Sequence, residues 1–525
     1  MVTGRPRPAT PRPVAERTPR CALRPLALAL TALAAAQPAL AQDVVAGRRG
    51  LFTPSLTAEA SYVDTRSRPF SNGREGILRV SPGLRWTDRT GRVQGSLDYA
   101  GDFFTRKGRG TDDTDYRTTL GARATAEVVP ASVFVDANAA ITQQAISAFG
   151  QQSVGGSVQQ NDNQTEVRSV AVSPRARGSI GTWADYEARF GAGYSTTHGG
   201  PAIPASRTSD ALFRLASPRG GTRLGWNVSV TQRHVRASGA PGADTAEETR
   251  VRAGLTWVAT PQLQLSVNAG AESADEGSRS ARHRDATSGV GLVWAPTSLT
   301  RFLADVEHRS VGNTGRINFV TRGPYTVLSY TLTRDTTFGI DGNAGGTPVT
   351  LYQLLFLKYA SVPDPADRDR LIMAELAGRD PNQVATVPVI GQAFSLLTRQ
   401  DLSLAWSGRR LSLTLFGFSS NSRSFGAESF GSLVSTTEPI VQHGYTSTLA
   451  YRFTPFTTLS LSGTRRMTFA TSAVAGNDLK SAELGLASQV GLRMTARVTA
   501  RYTVFNSTTE PYREAALSSS ITLRF

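Results

Sequence analysis

Arginine is the residue type in this sequence that is best placed to bind a ligand, because it recurs at alternate positions of several segments. Near the end of the chain, Arg497 and Arg501 alternate with Val498 and Tyr502. We predict that nine such arginines face a water-filled lumen: Arg79, Arg85, Arg123, Arg189, Arg252, Arg301, Arg493, Arg497 and Arg501. A positively charged lumen surrounded by a low-dielectric wall favours anions. The alternative is that these arginines pair with carboxylates on neighbouring strands and stiffen the wall.

Residues for catalysis or metal binding form no recognisable group. The five histidines lie in unrelated segments, and the sequence has no G-x-S-x-G, no H-E-x-x-H and no phosphate-binding loop. We therefore predict that the protein is not an enzyme and has neither a metal site nor a cofactor. A hydrolase whose serine, histidine and acid come from distant strands remains the alternative, because no motif search would find it.

The first 41 residues have the pattern of a Sec signal peptide. Six arginines precede the apolar run 25–36, and Ala39-Leu40-Ala41 is a small-x-small cleavage sequence. Cys21, the only cysteine, lies in this segment, so the mature chain has no thiol for disulfides or metal ligation. We predict that residues 42–50 form a short periplasmic segment, and we expect no separate plug domain before the first strand.

Removing the signal lowers the formal charge from +16 to +11, so the mature chain stays basic. Proteins that bind nucleic acid gather their positive charge in stripes, tails or helices. In this sequence the arginines are spread through alternating segments, which predicts no nucleic-acid partner.

Alternation of apolar and polar residues is the main structural signal. From Leu492 to Val504, apolar residues occupy every second position, and arginine or threonine occupies the others. A period of two indicates a β-strand with one face toward water. The sequence contains no run of eighteen apolar residues, which a membrane-spanning helix would need. The pattern predicts an all-β membrane protein. Residues 51–525 are predicted to form a large antiparallel transmembrane β-barrel of about 22 strands, within a range of about 18 to 22.

Short and long connections alternate along the predicted barrel. Tight turns such as Thr260-Pro261 and Gly323-Pro324 separate long polar segments such as 143–164 and 419–439. Transmembrane barrels have short periplasmic turns, so both termini are predicted to lie in the periplasm of a bacterial outer membrane. Every tryptophan lies near a tight turn, which predicts one interfacial aromatic belt: Trp86, Trp183, Trp226, Trp257, Trp294 and Trp406.

One long connection, residues 338–397, has helical signals. Thr347-Pro348 and Asp364-Pro365 read as helix starts, and the second helix is predicted to end at Gly378. Helical loops of this length fold into a barrel or cover its mouth in some proteins. The alternative is an extracellular loop without a gating role.

Two segments carry a family resemblance. Residues 322–337 read RGPYTVLSYTLTRDTT and residues 399–425 read RQDLSLAWSGRRLSLTLFGFSSNSRSF. From about Val311 to the C-terminus, the chain resembles outer-membrane proteins associated with the PEP-CTERM/exosortase system. The resemblance implies a context of exopolysaccharide production and cell-surface protein sorting, with passage or anchoring of an acidic polysaccharide.

The last strand ends in alternating apolar residues, Ile521, Leu523 and Phe525. The resemblance to outer-membrane proteins implies that these residues are an assembly signal for the barrel-assembly machinery. Lipid and lipopolysaccharide of the outer membrane are the other expected partners. The function predicted is a channel or export pore for an anionic or polysaccharide solute. The alternative is a structural or surface-display barrel that anchors extracellular matrix without transport.

Overall fold

The computed structural model describes residues 51–67, 73–88, 91–108, 113–154, 163–198, 205–218, 223–238, 245–275, 283–337, 355, 372, 395–424, 438–491 and 493–525. All of them belong to the unit Gly50–Phe525. The predicted signal peptide and the segment 42–50 lie outside the described residues.

The described chain forms twenty-two strands. In chain order they are β1 Leu51–Ser67, β2 Gly73–Asp88, β3 Val93–Gly108, β4 Asp113–Val129, β5 Val133–Ala145, β6 Gln164–Ile180, β7 Ala184–His198, β8 Ala205–Ala216, β9 Leu224–Ser238, β10 Thr245–Thr260, β11 Leu263–Asp275, β12 His283–Thr297, β13 Thr300–Arg309, β14 Gly312–Arg322, β15 Thr326–Thr337, β16 Ser395–Ser407, β17 Leu411–Ser424, β18 Ile440–Arg452, β19 Thr457–Thr468, β20 Asn477–Gln489, β21 Met494–Asn506 and β22 Tyr512–Arg524.

The strands close into a barrel. Each strand pairs antiparallel with the next one along the chain, and β22 pairs antiparallel with β1. In the closing pair, Ala58 lies opposite Ile521 and Tyr62 lies opposite Leu517. Closure leaves no unpaired sheet edge, which a membrane-spanning sheet requires because lipid cannot satisfy backbone groups. The predicted fold class is confirmed, at the upper limit of the predicted strand number.

The two ends of the barrel differ. The end of the barrel at which β1 begins and β22 ends is called the turn end. Its connections include 130–132, 181–183, 261–262 and 298–299. The opposite, loop end carries the longer connections 146–163, 338–394 and 425–439. The division has exceptions: at the turn end residues 217–223 join β8 to β9, whereas at the loop end residues 310 and 311 alone join β13 to β14. That hairpin turns through Gly312, whose φ of 94° is the left-handed conformation that glycine adopts without a steric penalty.

Several strands are longer than a bilayer requires. β1, β4 and β6 each have 17 residues, whereas about 9 to 11 tilted residues cross the hydrocarbon layer. These strands therefore have more residues than a barrel strand needs to cross the hydrocarbon layer. In the part of the chain that the structure describes, no helix is long and apolar enough to cross a membrane.

The helical insert predicted at residues 338–397 is not confirmed. Within 338–394, the structure describes Leu355 and Ile372 alone, and both are helical and fully buried. The remaining residues of the insert before β16 lie outside the described residues, so the insert stays a prediction.

Candidate functional site

The barrel wall has an outer face that is apolar and exposed. Along each strand every second side chain points outward, because successive residues of a strand alternate between faces. Exposed residues on this face include Tyr62, Leu78, Phe190, Leu255, Val290, Tyr445, Leu461 and Tyr502. A continuous apolar surface of this extent requires cover by lipid or another apolar partner.

All six tryptophans lie near the turn end. Trp183 stands in the connection from β6 to β7, and the others lie within four residues of a strand terminus at that end. Trp183 and Trp226 stack with ring centroids 6.4 Å apart. Trp183, Trp257 and Trp294 are exposed. The structure thus brings the residues of the predicted belt to one end of the barrel; their place at a lipid interface stays a prediction.

The lumen face carries arginines and carboxylates in pairs between strands. Six of the nine arginines predicted to face the lumen form such pairs: Arg79 with Glu59 (2.6 Å), Arg85 with Asp98 (2.5 Å), Arg189 with Asp210 (3.1 Å), Arg252 with Asp305 (3.4 Å), Arg497 with Glu483 (2.9 Å) and Arg501 with Glu514 (2.9 Å). In these pairs the carboxylate offsets the guanidinium charge. They stiffen the wall and contribute little net potential to the lumen.

The other three predicted arginines differ from these. Arg123 lies on β4 and Arg301 on β13, and among the described residues neither belongs to an ion pair. Arg493 lies in the turn before β21 and is exposed. Arg123 and Arg301 are therefore positions where a positive charge is available to the lumen.

An arginine that the prediction did not include is the centre of a buried charge cluster. Arg309, at the end of β13, has a side chain that is 1% exposed and that contacts Glu272 at 2.6 Å, Glu248 at 2.7 Å and Asp335 at 2.8 Å. Its partners come from β11, β10 and β15. The alternation in β13 places Asp305, Glu307 and Arg309 on one face, but the partners depend on strand register, which the sequence does not reveal.

The most informative feature of the lumen is the start of the connection from β5 to β6. We call residues 146–154 the inner loop. Ile146, Ala148 and Phe149 are buried although they belong to no strand. The inner loop contacts β19, β20 and β22, and four strands, β1 to β4, separate β5 from β22 on the shorter way round the barrel. The inner loop therefore reaches across part of the lumen near the loop end.

Hydrogen bonds anchor the inner loop to the part of the wall formed by β19 to β22, which we call the far wall. Thr468 Oγ1 and Asn477 Nδ2 each donate to the carbonyl oxygen of Ala148 at 3.0 Å. Tyr512 donates through its hydroxyl to the carbonyl oxygen of Gln152 at 2.7 Å. Val154 packs against a buried apolar cluster formed by Leu479, Phe505 and Tyr512. The far wall thus provides donors for loop carbonyls and an apolar surface for the end of the loop.

The inner loop is also held together internally. Asn163 Nδ2 donates to the carbonyl oxygens of Ser147 (2.8 Å) and Gln151 (3.0 Å), and its Oδ1 accepts from Ser147 N (2.8 Å). Gly150 lies against this side chain: a Cβ at Gly150 would stand 2.5 Å from Asn163 Cγ. A glycine is needed at this position because any larger residue would displace the side chain that closes the loop.

Gln152 links the loop to a charged side chain. Its Nε2 donates to the carbonyl oxygens of Ala148 (3.2 Å), Ser147 (3.3 Å) and Gly150 (3.4 Å). Because the nitrogen faces three acceptors, the amide oxygen faces the other way, and it accepts a hydrogen bond from Arg466 Nη1 at 3.1 Å. The sequence predicted a long polar connection over 143–164, but nothing in it indicated a partner on β19.

No protein-family model matches the chain, and no curated protein matches it. Among solved structures, the FrpB iron transporter from Neisseria meningitidis is 10% identical with a TM-score of 0.46, covering 92% of this chain and 84% of that chain. The siderophore receptor PirA from Pseudomonas aeruginosa is 11% identical with a TM-score of 0.42, covering 91% and 81%. OccK5 (OpdH) from Pseudomonas aeruginosa is 12% identical with a TM-score of 0.32, covering 90% and 98%. These similarities concern the arrangement of strands alone.

Proposed function

We propose that this protein is an outer-membrane channel for an anionic hydrophilic solute, narrowed near its loop end by the inner loop. One observation carries the proposal: the inner loop leaves one part of the wall, crosses part of the lumen and is anchored to another part. A lumen lined with charged and hydroxyl side chains can hold water, and a loop attached inside it restricts what passes.

The membrane location is supported by the exposed apolar outer face and by the tryptophans near the turn end. The turn end would face the periplasm, because short turns lie on that side of transmembrane barrels. Both termini of the barrel would then lie in the periplasm, with the outer wall in contact with lipid and lipopolysaccharide.

Preference for anions is supported by arginines of the lumen face that lack an ion-pair partner among the described residues, Arg123, Arg301 and Arg466. The resemblance of residues 322–337 and 399–425 to outer-membrane proteins of the PEP-CTERM/exosortase system suggests the solute class. The proposed solute is an acidic polysaccharide or a fragment of one, in the context of exopolysaccharide production.

The test is conductance of the folded protein in planar lipid bilayers. We expect single-channel steps, a reversal potential in a KCl gradient that indicates chloride preference, and block by oligogalacturonate at concentrations where neutral dextran has no effect. Single-channel steps with a cation-selective reversal potential would contradict the anion preference. Equal block by dextran and oligogalacturonate would contradict the proposal that the solute is acidic, but not the proposal that the protein is a channel.

A second function, a structural barrel that anchors matrix, is favoured by the extensive ion pairing of the lumen wall, which stiffens the barrel whether or not anything passes. Absence of conductance, both in the natural protein and in a variant whose inner loop has been shortened, would favour this function over the channel.

A further inference from the structure

We propose that Arg466 is an oxyanion-binding site in the lumen, and that the side-chain oxygen of Gln152 occupies it while the inner loop is in place. An anionic group of the solute would compete with Gln152 for the guanidinium and so release the loop from β19. This inference rests on the proposed channel function and assigns its solute a specific binding residue.

The surroundings of Arg466 distinguish it from the paired arginines of the wall. Arg466 is 5% exposed, and its cross-strand neighbours on the lumen face are Gly444 on β18 and Leu479 on β20. No carboxylate among the described residues forms an ion pair with it, whereas Arg501 on the same barrel contacts Glu514 at 2.9 Å. Among the residues that the structure describes, this buried guanidinium therefore has no compensating negative charge.

The hydrogen bonding of Arg466 is incomplete as well. Nη1 donates to Gln152 Oε1 at 3.1 Å, and the buried Nε has no acceptor in the part of the chain that the structure describes. Burying a charge without a counter-charge is costly, and a guanidinium offers a planar set of donors that match a carboxylate or phosphate. A neutral amide oxygen satisfies only part of this demand. An oxyanion would satisfy it better, because hydrogen bonds between charged groups are shorter and stronger.

The connection to the inner loop follows from the position of Gln152. Its nitrogen bonds three carbonyl oxygens of the loop, and its oxygen contacts Arg466, so this one side chain joins the internal order of the loop to the far wall. An anion at Arg466 would remove the contact between loop and guanidinium. The remaining anchors, from Thr468, Asn477 and Tyr512, involve neutral groups.

Binding is best measured on the full-length protein folded in detergent, away from any question of conductance. The probes are galacturonate, as a carboxylate sugar, inorganic phosphate, and galactose as the neutral control, each titrated by calorimetry. We expect saturable binding of at least one oxyanion and none of galactose. Galacturonate binding identifies a sugar acid as ligand; phosphate binding alone identifies a phosphorylated solute or free phosphate. Both outcomes support the oxyanion site.

Three variants complete the test. Arg466→Met should abolish the saturable binding. Gln152→Ala should strengthen it about tenfold, because the competing hydrogen bond to the charged group is gone. Arg465→Gln is the matched control: Arg465 is the adjacent residue, faces outward, and pairs with Asp478 at 3.0 Å, so its loss should leave affinity unchanged.

Equal affinity in the natural protein and Arg466→Met, or no saturable binding of either anion, would overturn the site. If Arg466→Met does not fold, equal affinity of the natural protein and Gln152→Ala overturns the competition. Hydrogen exchange of residues 146–152 should accelerate on adding anion, and no change would also overturn the competition. Conductance without anion binding would contradict the oxyanion site but not the channel. Anion binding without conductance would contradict the channel.

Discussion

The hydroxyl of Tyr512 donates a hydrogen bond of 2.7 Å to the carbonyl oxygen of Gln152, which joins the first residue of the last strand to a loop 360 positions earlier in the chain. The tyrosine is 3% exposed, and its ring lies 5.5 Å from that of Phe505. Together with the donors Thr468 and Asn477, this hydroxyl holds the inner loop against the far wall.

Tyr512→Phe keeps the ring and removes the hydroxyl, which leaves the carbonyl of Gln152 without this donor. A lost buried hydrogen bond costs about 1–3 kcal/mol, so backbone amides of residues 146–152 should exchange with deuterium at least about fivefold faster. Tyr502→Phe, on the outer face, is the control and should change nothing. Unchanged exchange in Tyr512→Phe would show that the hydroxyl does not hold the loop.

Arg309→Met should destabilise the barrel strongly. The substitution leaves Glu272, whose side chain is 1% exposed, and Glu248 without their shared cation, and removing one partner of a buried pair costs about 3–5 kcal/mol. The measurement is the free energy of unfolding in urea, with the folded fraction determined from heat-modifiable gel mobility. Arg465→Met, which breaks the more exposed pair with Asp478, should cost about 1 kcal/mol or less. Equal losses in the two variants would contradict the central role of Arg309.

The tryptophans should report a single depth in the membrane. Because all six lie near the turn end, and Trp183 and Trp257 are exposed there, lipids brominated near the headgroup should quench their fluorescence more than lipids brominated near the chain end. Trp257→Phe should reduce the quenched intensity without changing the depth profile. Quenching by aqueous iodide in place of brominated lipid would place these residues in water and refute the belt.

Deleting Phe525 should impair assembly more than activity. Its side chain lies on the outer face with Ile521 and Leu523, and its backbone N–H donates to the carbonyl of Pro54 at 3.0 Å, next to the closing pair β1–β22. We expect less protein in the outer membrane and normal conductance of the protein that does insert. Unchanged outer-membrane levels would contradict the predicted role of Phe525 as an assembly signal.

The architecture follows from the sequence because membrane β-strands have a simple period. The alternation from Leu492 to Val504 separates the outer face from the lumen face without any knowledge of neighbours. Tight turns such as Thr260-Pro261 and Gly323-Pro324 likewise mark strand ends, because proline and glycine interrupt the backbone pairing of strands.

The site could not be predicted in the same way, because it depends on contacts between distant strands. Gln152 and Arg466 are 314 positions apart, and nothing local to either residue indicates the other. Arg309 has three partners on three strands, which only the register between strands brings together. Ile146 and Phe149 are buried in the structure, although they lie in a connection that the sequence analysis described as polar.

The most direct test of the account is the single-channel conductance of a variant in which residues 147–152 are replaced by two glycines, compared with that of the natural protein. If the inner loop narrows the lumen, the variant should conduct with larger single-channel steps, while its heat-modifiable mobility stays that of a folded barrel. Identical conductance in the two proteins would contradict the proposed constriction.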